Sequence, residues 1–212
     1  MSSPAHKVRL VLALRSAGIT DTKVLGAMES IPREMFAPEA FADKAYDDVT
    51  LPIGHHQTLS QPRVVAAMTE ALRLTDRDKV LEVGTGSGYQ TVVLAKLCRR
   101  VYTVERHRPL LAQAEQRFAA LKLHNITTKV GDGTLGWAAQ APFQKIIVTA
   151  AAADVPPVLA EQLGIGGIMV VPVGDDAERQ SIVRVTRTED GFETEELREV
   201  KFVPLIPEAG AH

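Results

Sequence analysis

The first 75 residues carry apolar side chains at helical spacing. They recur in two stretches, which are Val8, Val11 and Leu12, and then Val24, Leu25, Met28 and Ile31. Spacings of three and four residues place such side chains on one face of a helix, and Pro32 ends the second stretch. We therefore predict an N-terminal helical cap over residues 1–75.

A punctuated segment, residues 46–62, interrupts the predicted cap. It contains two prolines and a glycine, together with more polar groups than a connector requires. Helical spacing then resumes at Val64, Val65, Met68 and Leu72. We predict an irregular loop that carries function, followed by a helix.

Beyond residue 78 the pattern changes to short β-branched runs that alternate with helical stretches. Five strands are predicted at residues 80–83, 101–104, 127–130, 146–149 and 168–171, with helices near 89–98, 109–122 and 155–163. This alternation is typical of a doubly wound, mostly parallel α/β sheet. Two further runs, 181–187 and 200–203, flank a turn at 189–191 and predict antiparallel strands at one edge.

The domain organisation follows from these two patterns. No internal repeat and no long linker separates them, so we expect a single domain over residues 1–212. Within it, residues 1–75 form the helical cap and the polar loop, and residues 76–212 form the α/β core.

Composition excludes several classes of protein. The net charge is −2, from 24 Lys plus Arg against 26 Asp plus Glu, so the chain has no basic footprint for nucleic acid. No apolar run reaches the ~20 residues of a membrane span, and the uncharged run at 10–14 is too short for a signal-peptide core. The single Cys98 forbids an internal disulfide and has no metal-ligand spacing. We expect a cytoplasmic protein with no metal and no nucleic-acid or membrane partner.

A glycine-rich loop follows the first predicted strand of the core. Gly84, Gly86 and Gly88 allow a sharp turn and let a ligand approach the backbone closely. The spacing is G-x-G-x-G rather than the dinucleotide G-x-G-x-x-G, and no Walker Lys follows. Glu105 ends the second strand, 105 − 84 = 21 residues after the first glycine, where an acidic side chain accepts hydrogen bonds from ribose hydroxyls.

A third candidate follows the third strand. Asp132, beside Gly133, is placed to accept from the exocyclic amine of a purine. Each feature alone has an ordinary structural interpretation, as a tight turn or a surface charge. Because all three lie at the carboxyl ends of successive strands, where such sheets bind ligands, they jointly predict a nucleoside-type ligand.

These residues resemble class I S-adenosylmethionine-dependent methyltransferases, and specifically the protein-L-isoaspartate O-methyltransferase family. Residues 80–90, Val-Leu-Glu-Val-Gly-Thr-Gly-Ser-Gly-Tyr-Gln, are similar to its cofactor motif. Residues 51–54, Leu-Pro-Ile-Gly, and 57–62, Gln-Thr-Leu-Ser-Gln-Pro, are similar to its signature loop and make the resemblance specific. It extends over nearly the whole chain and implies a Rossmann-like methyltransferase sheet.

The resemblance implies transfer of a methyl group from S-adenosylmethionine to the free carboxylate of L-isoaspartyl, or D-aspartyl, residues in damaged proteins and peptides. The ester then closes to a succinimide, and hydrolysis restores some normal aspartate. The implied cofactor contacts are Gln57, Thr58, Leu59, Glu82, Gly84, Thr85, Gly86, Ser87, Gly88, Glu105, Asp132 and Gly133. The implied substrate contacts are Ser60, Thr149, Ala150 and Val203, with Ser60 as the active-site hydroxyl.

Ser60 has two possible roles. The acceptor carboxylate is already ionised at neutral pH, so the reaction needs no general base and a single hydroxyl can orient it. Ser60 also precedes Gln61-Pro62 and fits the N-cap of the following helix. The family resemblance favours the functional role without excluding the cap.

The signature loop departs from the family at one point. His56, preceded by His55, stands where the family commonly has a glycine before Gln-Thr. A backbone with positive φ disfavours histidine, so the loop conformation and the peptide preference are open. Adjacent histidines aim poorly at one metal ion.

Other functions stay open at this point. The same fold serves methyltransferases of small molecules or RNA, because the cofactor half does not define the acceptor. A non-catalytic S-adenosylmethionine-binding module is a further alternative, and a nicotinamide-dependent oxidoreductase is disfavoured by the glycine spacing. The oligomeric state is not determined by the sequence, and we favour a monomer.

Overall fold

The helical cap forms the N-terminal part of the computed structural model, which describes residues 4–176 and 179–206. Its helices are α1 (Pro4–Ser16), α2 (Thr22–Ser30) and α3 (Pro62–Ala71), with 3₁₀ turns at Arg33–Phe36 and Glu39–Lys44. Asp21 begins α2, since its side chain accepts from the backbone N–H groups of Lys23 and Val24. Pro62 opens α3, where a missing N–H costs nothing.

The segment between the cap helices is more regular than predicted. Strands β1 (Leu51–Gly54) and β2 (Gln57–Leu59) form an antiparallel hairpin where the sequence predicts an irregular loop. Its two-residue turn has His55 and His56 at φ 51° and 57°. The strands are too short for a clear alternation, and His-His lacks the Asn-Gly pattern that usually marks such a turn.

The core is a seven-stranded sheet in the order β5-β4-β3-β6-β7-β8-β9. Its strands are β3 (Lys79–Val83), β4 (Arg100–Glu105), β5 (Ile126–Val130), β6 (Phe143–Val148), β7 (Leu163–Asp176), β8 (Arg179–Arg187) and β9 (Phe192–Val200). The first five in that order are parallel, and β8 and β9 extend the sheet antiparallel. The order reverses between β3 and β6, as in other doubly wound sheets. The predicted fold class is confirmed.

Three element boundaries differ from the prediction. The last strand is Phe192–Val200 rather than 200–203, because β9 is a polar edge strand whose exposed residues carry no hydrophobic signal. Strand β7 is much longer than 168–171, since it continues to pair with β8. Helix α6 (Pro157–Ala160) is a single turn where residues 155–163 were predicted helical.

Helices cover both faces of the sheet. Helices α4 (Tyr89–Ala95) and α5 (Arg108–Ala120) complete the crossovers. The cap packs on them, with α1 and α2 side chains buried in one cluster with Val92, Val93 and Phe118. Alternate residues along β3 enter clusters on opposite faces, as Val80 and Leu81 do. In the described ranges, no helix is long and apolar enough to cross a membrane.

Candidate active site

A cleft of about 340 Å³ lies at the carboxyl ends of β3, β4 and β6, under the β1–β2 hairpin. Three parts of the chain form its walls: the glycine loop, the hairpin with α3, and residues 202–206. Predicted site residues lining it are Gln57, Thr58, Leu59, Ser60, Gly84, Thr85, Gly86, Ser87, Glu105, Gly133, Thr149, Ala150 and Val203. The fold thus brings most of the predicted residues together where the strand order reverses.

The glycine loop is held by close contacts. Gly84 lies at φ 95°, and a Cβ added there would meet Thr149 Oγ1 at 2.3 Å. The Thr149 hydroxyl donates to the carbonyls of Val83 (2.9 Å) and Gly84 (2.6 Å). Thr149, the residue after β6, therefore supports the loop, although the resemblance implied contact with substrate.

Glu105 ends β4 beside this loop. Its two carboxylate oxygens accept from the backbone N–H groups of Gly86 and His107, each at 2.9 Å. Only 5% of the residue is exposed, at the cleft wall. The carboxylate is thus oriented from both sides, and each oxygen keeps a second lone pair for a ligand hydroxyl.

Glu82 does not line the cleft. It is fully buried, and its Oε2 accepts from Thr91 Oγ1 at 2.5 Å and from Thr103 Oγ1 at 2.7 Å. Thr103 in turn shares a 2.6 Å hydrogen bond with Thr85 in the glycine loop. Burial raises the pKa of Glu82 to about 8. The implied direct cofactor contact is therefore corrected. Glu82 instead supports the glycine loop from beneath, through hydrogen bonds that run by way of Thr103 to Thr85.

Gly88 and Asp132 also lie behind the cleft wall. Gly88 precedes α4 at φ 87°, and a Cβ there would meet Phe118 at 2.7 Å. Asp132 accepts from the backbone N–H and the hydroxyl of Thr134, at 2.8 and 2.7 Å. Its neighbour Gly133 does face the cleft, with no room for a Cβ beside Val83. This end of the site is thus shaped by backbone, with Asp132 holding the turn.

Ser60 lies at the cleft between β2 and α3. The N-cap of α3 is Gln61, so the alternative capping role predicted for Ser60 is wrong. Its carbonyl accepts a 2.6 Å hydrogen bond from Arg33 Nη2. The Ser60 hydroxyl is thus not used in capping and borders the cleft.

The C-terminal segment closes the other side. The Ala151 N–H donates to the Val203 carbonyl (2.8 Å), and the Leu205 N–H donates to the Ala151 carbonyl (2.7 Å). Residues 202–206 therefore run beside the segment that follows β6, where Ala151 pairs with Pro204, and Val203 and Ala150 both line the cleft.

Several lining residues were not predicted from the sequence. Arg106 and His107 follow Glu105, and the His107 ring stacks on His55 with 5.2 Å between centroids. Phe202 and Ile206 line the cleft from the C-terminal segment. Arg106 and His107 could have been predicted, because they directly follow the end of a strand. The stacking of His107 on His55 could not, because His55 lies in a hairpin that the sequence did not predict.

The site fits the nucleoside part of S-adenosylmethionine. Gly84 and Gly86 leave the loop backbone open to a ligand, and the Glu105 carboxylate stands at its edge with two fixed oxygens. Among residues 4–176 and 179–206, no group of three or more His, Cys, Asp or Glu is placed to hold a metal ion.

Comparison with known proteins agrees with this geometry. A family model described as protein-L-isoaspartate(D-aspartate) O-methyltransferase matches residues 5–210. The chain is 56% identical to a protein-L-isoaspartate O-methyltransferase of Rhodospirillum centenum over 98% of this chain and 95% of the relative. The corresponding protein of Rhodospirillum rubrum is 57% identical over 97% and 95%.

A solved structure provides the matching fold. A crystal structure from Plasmodium falciparum, described as a protein-L-isoaspartate O-methyltransferase in complex with S-adenosyl-L-homocysteine, superposes with a TM-score of 0.81. It is 26% identical, and the match covers 95% of this chain and 98% of that one. Sequence, fold and cleft agree, and the chain belongs to the protein-L-isoaspartate(D-aspartate) O-methyltransferase family.

Proposed function

We propose that this chain methylates the free carboxylate of L-isoaspartyl and D-aspartyl residues in damaged proteins, with Ser60 orienting that carboxylate. The observation that carries the proposal is the single cleft in which the glycine loop, Glu105 and Ser60 meet. Methyl esterification activates the abnormal residue for succinimide formation, and hydrolysis of the succinimide returns part of it to aspartate. The activity is therefore a repair activity.

The cofactor side of the cleft holds the nucleoside. S-adenosylmethionine, when bound, supplies an electrophilic methyl group on its sulfonium sulfur. The Glu105 carboxylate accepts from the ribose hydroxyls, because both oxygens are already aligned by Gly86 and His107. Thr85, Gly86, Ser87 and Gly133 line this side of the cleft and would hold the nucleoside, with Asp132 holding the turn beside Gly133.

The acceptor side positions the nucleophile. A carboxylate has an ordinary pKa near 4 and is ionised at neutral pH, so the chain needs no general base. The Ser60 hydroxyl donates to one carboxylate oxygen and leaves the other free to attack. Gln57, Thr58 and Leu59 cover the reacting groups, and excluding water there strengthens the hydrogen bond.

The substrate segment lies across the cleft mouth. Ala150 and Val203 border it with small side chains, which suits the close approach of an extended backbone. Such an approach requires the target residue to be in a flexible, exposed part of its protein. A peptide and the folded protein that carries the same isoaspartyl residue in a rigid site are then methylated unequally, and equal rates would contradict this part of the proposal.

We also propose a single-domain monomer that acts in the cytoplasm without nucleic acid. The net charge of −2 argues against nucleic acid as a partner. The lone Cys98 is buried, and burial raises its pKa to about 12, which suits a packing role in a reducing compartment.

The experiment that tests the function uses methyl-labelled S-adenosylmethionine and two peptides that differ only in an isoaspartyl or a normal aspartyl linkage. Base-labile methanol is counted after incubation with the full chain. Release from the isoaspartyl peptide alone is expected. Release from neither peptide, with cofactor still bound, would return the acceptor to a small molecule or RNA.

A further inference from the structure

Arg33 is a fully buried cation that joins the cap to the active-site hairpin. Its Nε donates to the Ala45 carbonyl at 2.7 Å, and its Nη2 donates to the Ser60 carbonyl at 2.6 Å. The guanidinium lies over the Tyr89 ring, 4.3 Å from the centroid. One side chain thus contacts the cap, the residue proposed to orient the substrate, and the start of α4.

The Ser60 carbonyl depends on this contact. In the first turn of α3, the N–H groups of Val64 and Val65 donate to the Gln61 carbonyl at 3.0 and 3.1 Å, one residue further along. Helix α3 therefore does not hold the Ser60 peptide group. Arg33 supplies the donor, and a charged donor makes a stronger bond than a neutral one.

The charge of Arg33 is not neutralised by a salt bridge with any described carboxylate. The two salt bridges between described residues join Arg63 to Asp48 and Arg184 to Glu195, and neither includes Arg33. Its Nη1 is buried with no hydrogen-bond partner among the described atoms, and desolvation lowers the pKa of the guanidinium. Arginine nevertheless stays charged in proteins. A buried, incompletely satisfied cation is costly for stability alone, which points to a role at the neighbouring site.

A second arginine makes the matching contact on the cofactor side. Arg117 on α5 donates from Nε to the Met35 carbonyl at 2.8 Å and from Nη1 to the Ser87 carbonyl at 3.0 Å. The 3₁₀ turn Arg33–Phe36 is therefore linked to Ser60 by one arginine and to the glycine loop by another. Arg117 is the natural comparison for Arg33, since both donate to a carbonyl in the cleft wall.

We infer that Arg33 is a positioning residue for methyl transfer. By holding the Ser60 carbonyl, it fixes the Ser60 peptide and the direction of the Ser60 hydroxyl toward the acceptor carboxylate. The inference rests on the role proposed for Ser60. Arg33 acts through Ser60 and makes no contact with either reactant.

The test compares Arg33→Gln and Arg33→Lys with Arg117→Gln, using the full chain, saturating cofactor and an isoaspartyl peptide. Loss of a charged hydrogen bond predicts that Arg33→Gln lowers kcat about tenfold or more while the Kd of S-adenosyl-L-homocysteine changes less than about twofold. Arg33→Lys keeps a cation and restores part of kcat. Arg117→Gln is expected to weaken S-adenosyl-L-homocysteine binding, the property that the Arg33 variants leave nearly unchanged.

A double variant separates positioning from general destabilisation. If Arg33 acts through Ser60, adding Arg33→Lys to Ser60→Ala causes little further loss of kcat, whereas independent effects multiply. Melting temperatures measured alongside show whether any variant unfolds. If Arg33→Gln unfolds, the comparison of Arg33→Lys with and without Ser60→Ala still decides the test.

Each outcome has a distinct meaning. A normal kcat in both Arg33 variants, or losses that multiply with Ser60→Ala, would overturn the inference. A wild-type chain inactive on the isoaspartyl peptide would instead overturn the proposed function, and a fully active Ser60→Ala variant would overturn the role of Ser60.

Discussion

The two walls of the cleft are held in different ways. On the cofactor side, Gly84 and Gly88 lie against Thr149 and Phe118 so closely that neither has room for a Cβ. On the acceptor side, Gly54 has no atom within 4 Å of a Cβ position, and the adjoining His55 and His56 are exposed. The cofactor wall is packed against the sheet at the loop itself, whereas the hairpin is anchored by Leu51 and Leu59 at its base and leaves its turn exposed. This difference suits one constant ligand and many different protein substrates.

The largest expected effect comes from filling the packed wall. Gly84→Ala places a methyl group 2.3 Å from Thr149 Oγ1 at a φ of 95°. The strain and the clash together lower the free energy of unfolding by roughly 2–5 kcal/mol. They also displace the hydroxyl that holds the loop, so cofactor affinity falls more than about tenfold. Chemical denaturation and calorimetric titration with S-adenosyl-L-homocysteine measure both.

Gly18→Ala is the matched control for this prediction. Gly18 has nearly the same φ, 92°, but no atom lies within 4 Å of its Cβ position. Only the backbone strain remains, about 1–2 kcal/mol, and cofactor affinity is unchanged. Equal losses in the two variants would show that packing against Thr149 contributes nothing.

The second prediction addresses the acceptor wall. Ser60→Ala removes the hydroxyl proposed to orient the substrate and lowers kcat/KM by roughly 10- to 100-fold, as expected for a hydrogen bond to a charged group. The melting temperature stays constant, because Ser60 does not cap α3. Steady-state kinetics with an isoaspartyl peptide and a thermal melt provide both readouts.

Asp21→Ala provides the opposite pattern. Asp21 is a true N-cap, with two backbone N–H groups donating to its side chain. Its loss costs about 1 kcal/mol of stability and leaves kcat/KM unchanged. If Ser60→Ala destabilised the chain as Asp21→Ala does, its effect on rate would have a structural explanation.

Features formed by residues that are neighbours in the chain could be predicted from the sequence, whereas contacts between distant residues could not. The glycine loop, Glu105 and the sheet follow from local patterns, because a strand, a glycine turn and a strand end are adjacent in the chain. Glu82 shares that motif, yet it is buried behind the loop, where its hydrogen-bond partner Thr103 comes from the next strand. Arg33 could not be found, since it contacts a residue 27 positions further along the chain, Ser60, and no local pattern marks the contact.

The third prediction concerns the buried acid beneath the packed wall. Burial raises the pKa of Glu82 from its reference value of 4.5 to about 8, so the folded chain keeps a proton that the unfolded chain loses between these pH values. Wild-type stability therefore falls as pH rises from 4.5 to 8, and the penalty is constant above that window. Glu82→Gln removes this dependence.

The variant should therefore gain on the wild type as pH rises. Between pH 5 and pH 8, the free energy of unfolding of the wild type falls by at least about 1 kcal/mol more than that of Glu82→Gln. This follows because a pKa difference of one corresponds to about 1.4 kcal/mol. Denaturant titrations at four pH values measure it. Parallel stability curves would mean that Glu82 is ionised when folded.

The smallest effect is expected in the exposed hairpin turn. His56 has φ 57°, where a residue with a Cβ is strained and glycine is not. His56→Gly relieves this strain but makes the unfolded chain more flexible, so the net gain in stability is under about 1 kcal/mol. The His55–His107 stack does not include His56, so kcat/KM profiles from pH 5.5 to 8 should coincide with those of the wild type.

His55→Gly is the control, since it relieves similar strain at φ 51° but removes the stack beside Glu105. A changed profile in His56→Gly alone would show that the His56 imidazole takes part in the acceptor wall.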